Sequence, residues 1–372
     1  MPDNRRFVLI AAHSGRALAA AARRAGYRPL VADLFADLDT QAIAAAHMRV
    51  AGTPAHGFAS RRLLDALDRL AADRAPEGLV YGSGFEDRVP LLRSVARRHV
   101  LLGNSAETVA RVKDPLGFAE LCRRQNVPHP EVSQAAAVDD GWLEKRAGGS
   151  GGAHVRPAKA GKTPGRGAYL QHRLNGRPVS ALFLADGRNA RVLGFSEQWA
   201  DPAPGQPFRY SGAVRPARLT RPQEAAMADA IARLATAAGL VGLNSADFLS
   251  RADGFDLLEI NPRPGATLDI YADAKGSLFE LHVQACRGRS PEPCPTFPGA
   301  AASAIVYVTR PCVLPQNFAW PDWAADRQPP GIRVAAAGPL CTVRAEADVA
   351  ETARELVRRR TAAILELAGR SR

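Results

Sequence analysis

The stretch GLVGLNSADFLSRADGFDLLEINPRPG, residues 239–265, contains two apolar runs on either side of a turn sequence. The runs cover residues 245–249 and 255–260, and the turn between them ends in Asp253-Gly254. An Asp-Gly pair is typical of the tight reversal that joins two antiparallel strands. The stretch therefore predicts a β-hairpin.

Three oxygen-bearing side chains share one face of this hairpin. Asp247 lies on the first strand, whereas Glu259 and Asn261 are two positions apart on the second. Residues two apart in a strand point to the same side. Carboxylate and amide oxygens are ligands that Mg²⁺ takes when it also holds phosphates. The pattern predicts a magnesium site, and the alternative is a polar patch on a solvated hairpin.

The sequence LLEINPRPG, which follows an ADF strand, resembles the magnesium-binding end of an ATP-grasp enzyme. The resemblance implies that Asp247, Glu259 and Asn261 hold the metal ions. It also implies a catalytic Arg263, which neutralises the transferred phosphate or an intermediate. The cofactors expected from the resemblance are ATP and Mg²⁺.

The composition is typical of a soluble globular protein. The length of 372 residues is enough for two or three compact domains. Of these residues 46% are hydrophobic and 23% are charged. No apolar run has the length of a membrane span, and the N-terminus lacks a signal-peptide pattern. The five cysteines never occur in C-x-x-C spacing, so a cytoplasmic location is expected.

The net charge of +12 raises the alternative of a nucleic-acid-binding protein. The arginines of this chain are dispersed along the sequence, however, rather than clustered. No segment alternates aromatic and basic residues in the way that suits stacking on nucleic-acid bases. We therefore expect neither a nucleic-acid partner nor a membrane partner. Only five of the 49 basic residues are lysine. A chain so rich in arginine is expected to keep lysine where a compact ammonium is needed and a guanidinium does not serve. The five lysines are Lys113, Lys145, Lys159, Lys162 and Lys275.

Residues 1–105 alternate strand and helix patterns, which predicts a doubly wound, parallel α/β domain. The strands are expected at residues 6–12, 29–33, 78–81 and 100–102. No G-x-G-x-x-G follows the first strand, so a classical dinucleotide site is not expected. The resemblance implies the small leading domain of an ATP-grasp protein, which contributes to the substrate pocket.

Loops after the strands of such a sheet face its ligand crevice. The segment Gly82–Asp87 (GSGFED) is one of them, and Ser83 and Glu86 are the substrate-binding candidates within it. The alternative is ordinary turn chemistry.

Two lysines and a glycine-rich segment are the candidates for binding nucleotide phosphates. Lys113 lies between a helix capped by Ser105 and a second helix that begins after Asp114-Pro115. Lys145 ends a strand and precedes a loop that can cradle phosphates and close as a lid. The loop residues are Gly148, Gly149, Ser150, Gly151 and Gly152. The alternatives are a solvated helix end for Lys113 and a plain linker for the glycines.

The segment AYLQHRLNG, residues 168–176, resembles the adenine-binding hinge of the ATP-grasp family. The resemblance implies that the backbone at Gln171 and Leu174 reads the base. One departure concerns the ribose, because Arg177 stands near the position where the family usually carries an acid.

A Gly/Pro/Arg-rich segment, residues 205–218, is predicted to be a loop. Arg209 and Tyr210 within it are candidates for binding a substrate carboxylate or phosphate, since an arginine fork binds planar anions. The alternative is an ordinary surface loop.

The resemblance divides the chain into three parts. Residues 1–105 are the leading domain and residues 106–290 the nucleotide-binding and catalytic domain. Residues 291–372 resemble the small β-rich C-terminal domain of carboxylase-like ATP-grasp proteins. The motifs YGSGFE and GGSGG are also similar to an uncharacterised ATP-grasp group linked to tetrahydromethanopterin-dependent one-carbon metabolism.

The function expected from these features is that of an ADP-forming carboxylate-amine ligase that works through an acyl phosphate. Addition of glutamate to a one-carbon coenzyme is the narrowest version. The expected partners are a small-molecule carboxylate and a small-molecule amine, and a homodimer is left open. The alternatives are a bicarbonate-using carboxylase of the same fold and a non-catalytic nucleotide-binding protein.

Overall fold

The computed structural model describes residues 6–273, 275–289 and 293–369. These residues form a parallel sheet of four strands, antiparallel sheets of four and eight strands, and two short strand pairs. No helix in this part of the chain is long and apolar enough to cross a membrane.

Strands and helices alternate in the N-terminal part. Their bounds are β1 (Phe7–Ala12), α1 (Arg16–Arg24), β2 (Arg28–Asp33), α2 (Leu38–Ile43), β3 (Ala46–Arg49), β4 (Gly52–Thr53), β5 (Gly57–Phe58), α3 (Ser60–Ala71), β6 (Leu79–Tyr81) and α4 (Val89–Ala96). The parallel sheet has the order β3-β2-β1-β6. Val8 and Ile10 of β1 enter the core on one face of the sheet, whereas Leu9 enters the core on the other. Cores on both faces confirm the doubly wound arrangement that the sequence predicts.

The strand predicted at residues 100–102 is wrong. Leu101 makes only an isolated parallel bridge to Leu79, and the fourth strand of the sheet is β3. This edge strand, AHMR, alternates partly buried and exposed residues. It therefore lacks the continuous apolar run that identifies a strand buried on both faces.

Two helices and the four-stranded antiparallel sheet follow. Their bounds are α5 (Ala106–Lys113), α6 (Pro115–Arg124), β7 (Val132–Ser133), β8 (Trp142–Arg146), β9 (Val155–Pro157) and β10 (Ala168–His172). The sheet has the order β7-β10-β8-β9. The side chain of Ser105 accepts a hydrogen bond from the Thr108 N–H, and that of Asp114 accepts one from the Gly117 N–H. The predicted cap at Ser105 and the predicted proline in the first turn of the second helix are confirmed, whereas the cap at Asp114 was not predicted. Lys113 therefore lies at the junction of the two helices.

The eight-stranded sheet contains most of the remaining strands. The bounds in this part are β11 (Arg177–Asp186), β12 (Ala190–Ala200), β13 (Tyr210–Arg215), α7 (Arg221–Ala238), β14 (Val241–Arg251), β15 (Gly254–Asn261), a 3-10 helix (Ala266–Tyr271), α8 (Ser277–Cys286), β16 (Ala300–Tyr307), β17 (Cys312–Val313), β18 (Ala324–Ala325), β19 (Arg333–Val334), β20 (Pro339–Ala347) and α9 (Ala350–Gly369). The sheet has the order β15-β14-β11-β12-β13-β16-β20-β18. Phe183 of β11 packs in one core with α7, and Leu182 packs in another with α8. The helices therefore cover both faces of this sheet.

The loop predicted over residues 205–218 contains a strand, β13, so that prediction is wrong for its second half. The strand pairs with β12 on one side and with β16 on the other. Glycine and proline indicate a loop locally, but ladder hydrogen bonds on both edges override that preference. Gly212 also has a packing reason to be a glycine, because a Cβ there would lie 2.4 Å from the ring of Trp199.

The C-terminal strands β16, β18 and β20 continue the same sheet, whereas β17 and β19 form a separate pair. β16 pairs with β13, β20 pairs with β16, and α9 packs over both of the added strands. The division into residues 1–105, 106–290 and 291–372 stays a proposal. Residues 290–292, where its second boundary falls, lie outside the described residues.

Candidate active site

The predicted hairpin is confirmed and brings the proposed metal ligands to one place. Asp247 of β14 lies directly opposite Glu259 of β15, and Ser245 lies opposite Asn261. The register shifts after Asp247, which marks an irregularity beside the carboxylate pair. Such irregularities re-aim side chains next to functional sites.

Lys113 enters this group from the end of α5. Its ammonium Nζ lies 3.0 Å from Glu259 Oε2 and 2.8 Å from Asn261 Oδ1. Asn261 Nδ2 in turn donates to Asp247 Oδ2 over 3.0 Å. One hydrogen-bonded network therefore joins a predicted phosphate-binding lysine to all three predicted metal ligands.

The two carboxyl groups of this network have opposite pKa shifts. Burial alone would raise the pKa of Glu259, but the ammonium groups of Lys113 and Lys145 hold it at about 2. Burial raises the pKa of Asp247, and the neighbouring charge of Glu259 raises it further. Two close carboxylates concentrate negative charge, which a cation between them would relieve.

The donor set fits a magnesium ion. Asp247 and Glu259 supply carboxylate oxygens and Asn261 an amide oxygen, which are the hard ligands that Mg²⁺ prefers. In the described part of the chain, no three His, Cys, Asp or Glu side chains form a metal-binding group. In the predicted site, the amide of Asn261 would therefore be the third protein ligand. The role of these three residues as metal ligands stays a prediction.

A cavity opens beside the network, between the four-stranded sheet and β15. The space that protein atoms leave empty there, open solvent at its mouth included, is about 370 Å³. Its lining combines apolar side chains with the edge of the site, and comprises Val112, Lys113, Pro115, Phe118, His129, Val132, Arg146, Gly148, His154, Tyr169, Gln171, Leu258 and Glu259. An apolar slot that ends at charged groups suits a flat base attached to phosphates.

Gln171 of the hinge lines this cavity, and the second lysine contacts Gln171. Lys145 of β8 donates to Gln171 Oε1 of β10 over 3.1 Å, and both side chains are buried. Leu174 lies beyond the end of β10 and is not among the cavity-lining residues. The structure thus brings Lys145 and Gln171 together but leaves Leu174 apart from the cavity.

The glycine-rich loop is sandwiched between two other segments. A Cβ at Gly148, where φ is +69°, would lie 2.6 Å from the carbonyl oxygen of Glu86. A Cβ at Gly152, where φ is +72°, would lie 1.8 Å from the carbonyl oxygen of Phe208. The Tyr210 N–H donates to the carbonyl of Gly151 over 2.9 Å. The loop therefore lies against the N-terminal α/β part on one side and the segment before β13 on the other.

We predict that Gly152→Ala disturbs this loop far more than Gly151→Ala. Both glycines have a positive φ, but a Cβ at Gly151 would meet nothing within 4 Å. Both substitutions therefore place an alanine in an unfavourable left-handed backbone conformation. Only Gly152→Ala also brings the new Cβ into a clash with a backbone atom. Hydrogen exchange of residues 146–156 with and without Mg-ATP measures the effect. Nucleotide should protect the loop in the Gly151→Ala protein and fail to do so in the Gly152→Ala protein.

Equal protection in both variants would contradict the predicted clash at Gly152. No change in protection of the wild-type loop on adding nucleotide would reduce the glycines to a linker.

Glu86 has a different set of contacts from those expected of a substrate ligand. Its Oε1 accepts from Arg263 Nε over 2.6 Å, and its Oε2 accepts from the N–H groups of Gly84 and Phe85. Burial opposes ionisation, but Arg263 and Lys113 hold the pKa of Glu86 at about 2. Both carboxylate oxygens are engaged, which favours a role in positioning Arg263. The backbone carbonyl of Ser83 accepts a hydrogen bond from the His13 N–H.

Arg209 is likewise engaged by protein groups. Its guanidinium binds the Asp201 carboxylate over 2.6 Å and the Ala337 carbonyl over 2.9 Å, and lies 3.7 Å from the ring centre of Tyr307. Neither Arg209 nor Tyr210 lines the cavity. These contacts favour a structural role for Arg209 over capture of a substrate anion.

Two residues that the sequence did not single out are part of the site. His154 lines the cavity, and burial lowers its pKa to about 4, so its imidazole is neutral at pH 7. Its position two residues after the last glycine of the run is the signal that could have identified it. Asn104 donates to the Pro262 carbonyl over 2.9 Å and accepts from the Val241 N–H, which fixes the segment leading to Arg263. The sequence indicates only a helix cap for Asn104.

Comparison with known proteins supports the fold. A family model described as an ATP-grasp domain matches residues 112–267. The large chain of carbamoyl phosphate synthase from Rubrobacter xylanophilus is 25% identical over 229 residues, which are 54% of this chain and 21% of that protein. The chain thus spans about a fifth of the length of this relative.

Two solved structures are similar over most of the chain. One is the biotin carboxylase domain of 2-oxoglutarate carboxylase from Hydrogenobacter thermophilus, which was solved with MgADP, ADP and bicarbonate. Its TM-score is 0.73 and its sequence identity 14%, and the match covers 95% of this chain and 88% of that one. Biotin carboxylase from Campylobacter jejuni has a TM-score of 0.69 and 15% identity, covering 94% and 89%. At this identity the likeness shows the fold, which is the ATP-grasp fold that the sequence predicts.

Proposed function

We propose that this chain, which has the ATP-grasp fold, is a Mg-ATP-dependent, ADP-forming ligase that joins a carboxylate to an amine through an acyl phosphate. The observation that carries the proposal is the network of Lys113, Glu259, Asn261 and Asp247 at the end of an apolar cavity. A nucleotide bound in the cavity would present its phosphates to this network, whose oxygens could bind a cation and whose ammonium could bind phosphate.

The reaction has two steps. A carboxylate oxygen of the substrate attacks the γ-phosphorus of ATP, the bond to the β,γ-bridging oxygen breaks, and ADP leaves. The amine then attacks the acyl carbon, loses a proton and displaces inorganic phosphate. Such transfers need positioning and positive charge more than covalent help from the protein.

The proposed roles follow from the contacts. Lys113 and Lys145 bind phosphate oxygens of the nucleotide, and the fork of Arg263, held by Glu86, faces the transferred phosphoryl group. Asp247, Glu259 and Asn261 would hold the metal, which when bound supplies further positive charge to that group. The loop over residues 148–152 excludes water from the acyl phosphate.

A bicarbonate-using carboxylase is the rival of the same fold, since the Hydrogenobacter domain was solved with bicarbonate. It would also form an acyl phosphate, so the residues above do not distinguish the two. A non-catalytic nucleotide-binding protein is the other rival. The intact set of two carboxylates and an amide favours an enzyme over the latter.

A screen of carboxylate and amine pairs for ADP release, with mass spectrometry of the products, tests the proposal. We expect ADP release that requires both substrates and a product mass equal to their sum less one water. ADP release that depends on bicarbonate and no amine would support the carboxylase instead. ATP binding without ADP release under any pair would favour the non-catalytic rival.

The finer expectations stay predictions. Glutamate addition to a one-carbon coenzyme is one product that the screen should include. The Hydrogenobacter domain is a dimer, which makes a homodimer the assembly to test by light scattering. A cytoplasmic location and the absence of nucleic-acid and membrane partners also stay predictions.

We predict that Lys145→Arg weakens ATP binding by about tenfold, although it keeps the charge. Lys145 is buried against Gln171, and a wide guanidinium cannot replace a compact ammonium there. A lost charge-assisted hydrogen bond has about this effect on affinity. Lys159→Arg and Lys162→Arg are matched controls, because both side chains are exposed. Calorimetric titration that gives one affinity for all three variants would contradict the role of Lys145.

A further inference from the structure

Three arginines converge on one buried carboxylate outside the candidate active site. Glu197 of β12 is only 5% exposed. Its Oε1 lies 3.1 Å from Nε of Arg218 and 3.5 Å from Nη1 of Arg177. Its Oε2 lies 3.8 Å from Nη1 of Arg354. The arginines belong to β11, to the segment after β13 and to α9, so the fold brings them together from distant positions. We call these four residues the arginine cluster.

The arginine cluster lies on the other face of the eight-stranded sheet from the predicted metal ligands. Glu197 pairs with Val179 of β11. Asp247 pairs with the next residue of that strand, Ser180. Paired residues share a face of a sheet, whereas consecutive residues of one strand point to opposite faces. The side chains of Glu197 and Asp247 therefore lie on opposite sides of the sheet.

The arginine cluster has hydrogen-bond donors that the protein does not use. A guanidinium group can donate several hydrogen bonds. Among the described residues, Arg354 has no hydrogen-bond partner, and its guanidinium carbon lies 4.8 Å from the ring centre of Trp199. Nε of Arg177 is buried and also lacks a partner in the described part of the chain. Of the three arginines, Arg218 donates a hydrogen bond to Glu197. One carboxylate therefore leaves most of these donors without an acceptor.

A cavity opens onto two of the arginines. It is lined by Glu197, Val214, Arg218, Ala350, Glu351 and Arg354. The space that protein atoms leave empty there, open solvent included, is about 330 Å³. Glu351 is the second carboxylate of this cavity, and its Oε1 lies 3.8 Å from Nη1 of Arg218. Three guanidinium groups thus face two carboxylates. Because like charges repel at short range, a further anion in the cavity would stabilise this arrangement.

We propose that this second cavity is a binding site for a phosphate group, held by Arg218 and Arg354. A guanidinium fork donates two parallel hydrogen bonds to phosphate oxygens. A phosphate group has more acceptor oxygens than a carboxylate, so it can accept from both arginines at once. The site does not depend on the proposed function, because its residues line neither the active-site cavity nor the predicted metal site.

Calorimetric titration of the full chain with inorganic phosphate tests this site. Arg354→Gln should weaken phosphate binding by about tenfold, the effect of a lost charge-assisted hydrogen bond. Arg358→Gln on the same helix is the matched control, because that side chain is 75% exposed and pairs with Glu355. It should bind phosphate as the wild type does. Neither substitution touches the active site, so the difference between the two variants isolates the second cavity.

Glu351→Gln gives a second test if Arg354→Gln does not fold. It removes a negative charge from the cavity wall, so phosphate should bind about threefold more tightly, as expected for one partly exposed charge pair. Glu351 is 65% exposed, and loss of its long contact with Arg218 should leave the fold intact. A cluster that only holds α9 against the sheet would show no change in phosphate affinity in this variant.

The same titration with glycerol 3-phosphate identifies the source of the phosphate group. Tighter binding than that of inorganic phosphate would indicate a phosphorylated small molecule, whereas equal or weaker binding would indicate free phosphate. The inference would be overturned by a wild-type protein that does not bind either compound. Equal phosphate affinities in the wild-type, Arg354→Gln and Glu351→Gln proteins would overturn it as well.

Discussion

Glu259→Gln should lower turnover by about 100-fold or more while leaving the protein folded. Glu259 lies between the predicted metal site and Lys113, and its pKa of about 2 keeps it ionised at every working pH. The amide of glutamine is nearly the same size and still accepts a hydrogen bond from Lys113, but it removes a charge that the metal needs. Electrostatic stabilisation of the transferred group supplies most of the rate in phosphoryl transfer, so the loss should appear in kcat.

Steady-state kinetics with the pair found in the screen measures this effect, and circular dichroism checks the fold. Glu355→Gln on α9 is the control, because that carboxylate is 43% exposed and pairs with two arginines of its own helix, Arg358 and Arg359. Near-normal turnover of the Glu259→Gln enzyme would rule out Glu259 as a metal ligand.

Arg263→Lys should also lower turnover by about 100-fold, with ATP affinity almost unchanged. Glu86 binds Nε of Arg263, and Nη1 of Arg263 donates to the Pro264 carbonyl. Among the described residues the remaining nitrogen of the fork has no hydrogen-bond partner, so it can meet the transferred phosphoryl group. Arginines in that role contribute factors of about 10³ to 10⁵. Lysine keeps the charge and the pairing with Glu86 but lacks the fork, so part of the contribution should survive.

Substitution by lysine is preferable to alanine here, because alanine would leave the buried Glu86 carboxylate without a partner. Arg123→Lys on α6, where the side chain is 73% exposed, is the control. A rise in the KM for ATP with an unchanged kcat would place Arg263 at the nucleotide rather than at the reacting phosphate.

The features that the sequence predicted correctly depend on residues close together in the chain. Ser105 caps α5 through the Thr108 N–H, three positions away, and the hairpin of β14 and β15 closes through the two residues between Arg251 and Gly254. Caps, turns and strand periodicity act over a few residues, which is why local sequence rules identify them.

The features that the sequence did not predict depend on contacts between distant parts of the chain. Lys113 and Glu259 are 146 positions apart, and Glu86 and Arg263 are 177 apart. Nothing local in GSGFED indicates that Glu86 binds an arginine rather than a substrate. The strand β13 likewise forms because β12 and β16 lie on both of its edges. Such outcomes are set by tertiary packing, which overrides local propensity.

Transfer of ¹⁸O from the carboxylate substrate to inorganic phosphate tests the acyl-phosphate ligase most directly. In the proposed reaction a carboxylate oxygen becomes the bridge to phosphorus and leaves with the phosphate. With a doubly ¹⁸O-labelled carboxylate, mass spectrometry should therefore find one ¹⁸O in each phosphate released together with ADP. Unlabelled phosphate, or release of AMP and pyrophosphate, would contradict the proposed chemistry.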